Sequence, residues 1–318
     1  MRVSFAGGGS DLPPFIPDMP GRIVGTALDI RVRAVVEPFD KGWVRLELPV
    51  ADQTVTRRWG EPPSRDIAFR LLEATLAHTG ITDGVRVRVD TDVVPGAGLG
   101  GSAAAAVATL CALRWSVGEV KLPEDVAREA SSLERDGLHI VCGSQDQLFA
   151  ACGGILDLRF GEAGCIGIDA INPDPTLLAQ FGAGLLLVDT RVRRVSGDVL
   201  RRVDKAAALA SVGELVAAAG DVATGLREGS LTQVLAGMRR SANAKLRRSP
   251  SANALAVELS RRLEGKGVEV IRVCGAGAGG HVLVWAHQDQ HASIVEALGS
   301  TSIRRPALMA PGVRIEQD

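Results

Sequence analysis

The sequence predicts an α+β protein, β-rich in its first third and helix-rich toward its end. Three observations carry this reading. Trp43 to Leu48 and Gly84 to Asp90 alternate apolar and polar residues with period two, the pattern of half-buried strands. Gly197 to about Gly267 is rich in Ala, Leu and Arg at helical spacing. Between them the glycine-rich run Pro95 to Ser102 opens directly into four alanines. Regular βαβ alternation is missing, which separates this chain from parallel α/β sheets.

The elements follow in order. Ile23 to Val36 contains β-branched alternation and reads as strand. Asp66 to His78 places Ile67, Leu71, Leu72, Thr75 and Leu76 on one helical face. Ser102 to Trp115 reads as a helix whose small first turn allows close packing. Pro123 opens another helix at the position proline favours, running to about Asp136. Gly153 to Leu158 reads as a turn into a strand, and Gly184 to Asp189 as a buried strand. Val268 to Val273 and Val282 to Trp285 read as strands around a glycine loop; Ile294 to Ile315 is patterned more weakly. No repeat or low-complexity linker interrupts the chain, so two closely packed lobes are expected. They divide between Leu187 and Gly197, giving 1–190 and 191–318.

Composition narrows the function classes. The 318 residues carry a formal net charge of −1, so no global basic field recruits nucleic acid. The arginine pairs 193/194, 201/202, 239/240, 247/248 and 261/262 read mostly as solvated helix faces. Five cysteines without a CxxC pair indicate neither a disulfide framework nor a zinc site, and a reducing cytoplasm fits them best. Met1 to Phe5 runs straight into glycines without a signal-peptide pattern. No apolar run is expected to reach the ~18 residues of a membrane helix.

Three glycine clusters carry the chemistry. In the central one, glycines let the backbone curl around an anion at the positive end of the following helix. Gly96, Gly98 and Gly101 spell GxGxxG, the dinucleotide fingerprint, with Glu119 near the place of a ribose-binding acid. Pro95, Gly98, Leu99, Gly100, Ser102, Ala103 and Ala104 also satisfy a longer Pro…Gly-Leu-Gly-x-Ser-Ala-Ala template. The Ser102 hydroxyl either caps the helix or reaches a phosphate-bound Mg²⁺. The N-terminal cluster, Gly7 to Asp11, is either a turn closed by an Asp11 Asx motif or a ligand loop. Gly275 to Gly280 is either a loose hairpin or a loop whose backbone approaches a phosphate or sugar.

In this order, the three clusters resemble the GHMP kinase superfamily, which includes galactokinase, homoserine kinase and mevalonate kinase. The opening Arg2 to Pro14, and Gly143-Ser144-Gln145-Asp146-Gln147 followed by Gly153-Gly154, look closest to the D-glycero-D-manno-heptose 7-phosphate kinase branch. The resemblance implies a two-lobed fold with the ATP-binding lobe first. It implies that Pro95, Gly96, Ala97, Gly98, Leu99, Gly100, Gly101 and Ser102 hold the ATP phosphates. Ser102 and Glu134 would hold Mg²⁺. Asp146 would be the catalytic base, assisted by Arg2. Gly8, Gly9, Ser10, Asp11, Gln145 and Gly277 would surround the sugar, and Thr190 and Arg194 a substrate phosphate.

Read on their own, Glu134 is a helix acid paired with Arg128 or Arg135, Asp146 a loop or capping acid, and Arg2 a frayed terminal residue. The chain departs from the family pattern at Gly101 and from the branch pattern at Ser144, Leu148 and Arg191. The implied reaction is phosphorylation of the C1 hydroxyl of D-glycero-D-manno-heptose 7-phosphate by ATP, giving the 1,7-bisphosphate and ADP. A kinase for another sugar or cyclitol, fucokinase-like, and a non-catalytic nucleotide or sugar sensor stay open beside it. The expected partner is a small sugar phosphate, with neither nucleic acid nor membrane involved. The sequence leaves open whether the chain works alone or as a homodimer.

Overall fold

The computed structural model describes residues 1–13, 19–64, 66, 68–81, 83–162, 164–193, 205–299 and 301–317, with backbone alone at 205–208. Among them three four-stranded sheets are packed with helices. The first sheet has the order β1-β2-β7-β8 and is antiparallel throughout, from β1 (Arg2–Ala6), β2 (Gly21–Ala27), β7 (Ile155–Gly161) and β8 (Gly164–Ile171). The second has the order β3-β6-β4-β5, from β3 (Val32–Pro38), β4 (Trp43–Leu48), β5 (Gln53–Arg58) and β6 (Val85–Thr91). Only β4 and β6 run parallel there. The third has the order β10-β11-β9-β12, from β9 (Leu185–Asp189), β10 (Val268–Val273), β11 (His281–Ala286) and β12 (Ser302–Arg304). It therefore draws β9 from before Thr190.

Alternation explains the second sheet. Val85, Val87 and Val89 of β6 are buried with Val44 and Leu46 against α1 (Arg70–Thr79) and Leu113. The intervening Arg86 points outward and bonds Glu47 at 2.8 Å. Ile23 to Val36, read as one β segment, is two strands in two sheets. The break falls at Leu28 to Arg31, where Leu28 N donates to Met1 O and Asp29 N to Ala307 O.

The helices start where their chemistry allows. α2 (Gly101–Ser116) follows Gly100, whose φ of 74° lies in the left-handed region. α3 (Pro123–Ser132) has proline first and Glu124 and Asp125 in its first turn. It continues into a π-helical turn, Leu133–Gly137, the kind of wide turn that often marks functional sites. α4 (Gln145–Cys152) and α5 (Pro175–Ala183) follow, the latter capped by Asp174. Neither has a strong period in sequence, and neither was anticipated.

Two long helices, α6 (Lys205–Glu228) and α7 (Leu231–Arg248), pack on each other and on the first sheet, with α8 (Ala254–Arg262) and α9 (His291–Leu298) beside the third. Among the described residues one apolar cluster joins Val3 and Phe5 to Phe181, Val222, Met238 and Trp285, and others fill the second and third sheets. The Phe5 and Phe181 rings meet edge to face at 5.0 Å, and Trp285 Nε1 donates to Phe181 O at 2.9 Å. The expectation that no apolar run is long enough to span a membrane is corrected here. Leu209–Glu228 has a mean hydropathy of 1.3 over a span-length window. Its Val212, Leu215, Ala218, Ala219, Val222, Ala223 and Leu226 are fully buried in the protein, as befits a core helix.

Candidate functional site

The loop between β6 and α2 is a tight backbone coil, with Gly96, Gly98 and Gly100 at φ of 83°, 79° and 74°. A loop of this kind, leading into a helix start, can turn its N–H groups toward an anion. The dinucleotide reading fails on topology: α2 leads into α3, not into a parallel strand beside β6. β1 brings Arg2 against the loop. Arg2 N donates to Leu99 O and Arg2 Nη1 to Gly98 O, each at 3.0 Å. Its Nε and Nη2 each reach a carboxylate oxygen of Asp146 at 2.7 Å. Arg2 is 4% exposed, so it is a fixed member of the site and not a frayed terminus. The two-pronged geometry fixes the Asp146 carboxylate in position and direction. Asp146 lies in the first turn of α4 and stays partly open to solvent.

Next to this pair, Ser102 Oγ donates to Glu134 Oε1 at 2.5 Å, and Gln147 Nε2 to Glu134 Oε2. Ser102 therefore does not cap α2. Glu134 does not pair with Arg128 or Arg135, which hold Asp125 and Asp136. Burial, and then the charge of Asp146, raise the Glu134 carboxyl above its ordinary range. A buried carboxylate and a hydroxyl meet here, and the oxygen of the adjoining amide, Gln147 Oε1, is buried without a hydrogen-bond partner among the described residues. These hard oxygens fit Mg²⁺, which uses few protein ligands and completes its shell with phosphates and water. Among the described residues no cluster of three or more His, Cys, Asp or Glu is placed to hold a metal, so the nucleotide would have to supply the rest.

Asp11 closes the other side. It accepts from Gln145 N at 3.1 Å and Gln145 Nε2 at 2.9 Å. The approach needs glycine at 143, where a Cβ would lie 1.9 Å from Asp11 Oδ2. Burial, and then Asp146, push the Asp11 carboxyl up to about 6.

Residues 66–154 match the family model of the GHMP kinases N terminal domain. By sequence this segment matches the N-terminal domain of the GHMP kinases, and the fold of the whole chain resembles theirs. It is 22% identical over 209 residues to a D-glycero-alpha-D-manno-heptose 7-phosphate kinase of Campylobacter jejuni, a match covering 63% of this chain and 60% of that protein. The chain spans less than two thirds of this curated relative. Its fold superposes on a D-glycero-D-manno-heptose 1-phosphate kinase from Bacteroides thetaiotaomicron with a TM-score of 0.81 at 16% identity, covering 100% and 98% of the two chains. The Streptococcus pneumoniae phosphomevalonate kinase in complex with phosphomevalonate and AMPPNP gives 0.77 at 13% identity, over 96% and 97%.

Within this GHMP fold, the structure gathers Arg2, Gly98, Leu99, Gly100, Asp146, Asp11, Gln145, Ser102 and Glu134. Other expected residues are occupied differently. Ser10 spends its hydroxyl on Arg22 N and O, each at 3.1 Å, anchoring the loop to β2. Thr190 Oγ1 donates to Gly280 O at 2.6 Å. Gly277, at φ 92°, packs against Ala252. Arg191, in place of the branch glycine, keeps a left-handed φ of 59°. Arg194 lies outside the described residues.

The glycine loop Gly275 to Gly280 is more than a hairpin. It leads into His281, whose backbone N and Nδ1 both meet Ala97 O at 2.9 Å, tying the third sheet to the phosphate loop.

Sequence reasoning missed three cations on the C-terminal side: Lys245, Arg248 and Arg272. The pair Arg247/Arg248 read as a solvated face. Arg247 fits that, pairing with Glu214 at the surface. Arg248 is buried and donates to Gly9 O at 3.2 Å. A doubled arginine at the end of an amphipathic helix carries no mark of which member turns inward.

Proposed function

We propose that the chain transfers the γ-phosphoryl group of ATP to a hydroxyl of a sugar phosphate. The C1 hydroxyl of D-glycero-D-manno-heptose 7-phosphate is the favoured acceptor, giving the 1,7-bisphosphate and ADP. The observation that carries this reading is the two-pronged Arg2–Asp146 pair seated on the phosphate loop. Phosphoryl transfer depends on positioning and on neutralising charge around a loose transition state. The loop N–H groups hold the ATP phosphates. Asp146 orients the acceptor hydroxyl and takes its proton as the oxygen attacks the γ-phosphorus. The new P–O bond forms as the bond to ADP breaks, and the proton leaves from Asp146 to solvent. Arg2 holds Asp146 in its attacking direction. Asp11, ionised above about 6, accepts from sugar hydroxyls. Ser102 and Glu134, with Gln147, would hold Mg²⁺, which supplies charge neutralisation at the phosphates when bound.

The test is a panel of sugars and sugar phosphates with ATP and Mg²⁺, scored for phosphorylated product. The heptose 7-phosphate is expected to give the highest kcat/KM. Preference for another sugar or cyclitol would reassign the acceptor. Nucleotide binding without any product across the panel would replace this reading with a sensor.

A further inference from the structure

Behind the Gly7 to Gly9 loop stand three cations that the steps above do not use. Arg248, in the last turn of α7, donates from Nη1 to Gly9 O. A Cβ on Gly9 would come within 2.9 Å of that nitrogen, so the loop lies directly on the guanidinium. Lys245, one turn earlier, donates from Nζ to Gly275 O at 2.9 Å. Arg272 of β10 is 2% exposed. Its Nη1 reaches Phe5 O and Ser241 Oγ, and its Nη2 reaches Ser4 Oγ at 3.1 Å.

The hydrogen-bond acceptors of Lys245 and Arg272 among the described residues are therefore all neutral. A buried cation without a counter-charge is costly, and these repel one another as well. Burial, then Arg272, Arg248 and Arg2, pull the Lys245 ammonium well below its usual range. Burial likewise brings Arg272 down to about 10. Two carboxylates stand near. Asp11 acts on Arg248, while both oxygens of Asp146 are bound by Arg2. Among the described residues the balance of charge on this side is positive, and it adjoins the loop that leads into Asp11.

We propose that Arg248 and Lys245, with Arg272 behind them, bind a phosphate group already carried by the acceptor sugar. This rests on the sugar-phosphate kinase reading and deepens it by giving the phosphate already on the acceptor a binding site. It places the anion site at the junction of α7 with the Gly7 to Gly9 loop. Thr190, the residue first expected to help hold that phosphate, bonds instead to Gly280 O.

The experiment compares D-glycero-D-manno-heptose 7-phosphate with the dephosphorylated heptose, using wild type, Arg248→Met, Arg248→Lys and Lys245→Met, with folding checked by circular dichroism. Losing one charge-assisted contact should raise KM for the phosphate roughly 10- to 100-fold. The expected kcat stays within about threefold, since these side chains do not meet the reacting oxygen. Arg248→Lys should recover part of the loss, and KM for the neutral sugar should not move. Lys245→Met removes a desolvated charge at similar shape, so it remains informative if Arg248→Met does not fold. Equal losses for both sugars, or a wild type that prefers the neutral one, would overturn the proposal. If no acceptor is turned over, the kinase reading fails separately. Calorimetric titration with the sugar phosphate and inorganic phosphate then decides the anion site alone. Binding that the variants lose supports it; no wild-type binding, or equal binding in all, refutes it.

Discussion

At the phosphate loop, Arg2 meets Asp146 through two hydrogen bonds and Ser102 meets Glu134. At α7, Lys245 and Arg272 meet only neutral oxygens among the described residues. In the first region Arg2 and Asp146 neutralise each other, which would hold the proposed base in place before any ligand arrives. The second keeps positive charge in a place where burial makes it unfavourable. On the proposed reading, the contrast separates a region that orients a reaction from one that an anion completes.

The sharpest way to break this comparison is at the balanced end. Asp146→Asn keeps the shape of the carboxylate but removes the proton acceptor and its pairing with Arg2. ADP release with the preferred acceptor should fall roughly a thousandfold, with ATP binding retained. Activity within tenfold of wild type would remove Asp146 from the base position.

The next effect is on the metal side. Ser102→Ala and Glu134→Gln should each weaken the Mg²⁺ requirement curve or turnover by about 10- to 100-fold. Magnesium titrations at fixed ATP read this directly. Unchanged half-saturation and rate in both variants would assign the Ser102–Glu134 contact to folding alone.

Asp11 provides a pH test. Burial and Asp146 push its carboxyl up to about 6 in the folded chain, so on the proposed reading it would accept from sugar hydroxyls as an anion only above that pH. The kcat/KM for sugar should therefore rise about tenfold from pH 5 to 7, and Asp11→Asn should flatten this limb. The same shift has a stability consequence. Between the unfolded value of 3.8 and about 6, the folded state holds more protons than the unfolded one. Asp11 thus makes stability fall as pH climbs through that window, and Asp11→Asn should lessen the slope in urea titrations.

The smallest effect concerns Lys245 in the ligand-free protein. Its ammonium titrates lower when folded than the usual 10.5, so the folded state binds fewer protons and stability should rise as pH climbs toward 10.5. Lys245→Met should lack this rise. Parallel stability curves from pH 7 to 9 would show that α7 carries no uncompensated charge there.

Much of the site's chemistry was legible because it is local in sequence. The Gly96 to Ser102 loop combines a strand end, positive-φ glycines and a helix start, and each leaves a mark on residue type. The same holds for β6, whose valines alternate with arginines, and for α3, which opens on proline. Where two sheets share one continuous β-rich stretch, as at Ile23 to Val36, composition is silent about the crossing. That crossing depends on hydrogen bonds from Leu28 and Asp29 to residues far along the chain. α4 also escaped notice, because a helix of eight residues, with Gln147, Leu148, Phe149 and Ala151 buried, is too short to show a clear helical periodicity.

By itself, then, the sequence determined the α+β class, the phosphate loop, and Ser102, Glu134 and Asp146 as residues of interest. Short-range backbone chemistry and side-chain type were sufficient for the class, the loop and Ser102, while Glu134 and Asp146 stood out only through the resemblance to the family. Tertiary structure alone decided that Arg2 is buried against Asp146, that Glu134 leaves its neighbouring arginines for Ser102, and that Arg248 turns inward while Arg247 stays outside. Each of those choices depends on which distant segments share a buried volume, since burial is what turns an ordinary charge into one that must find a partner.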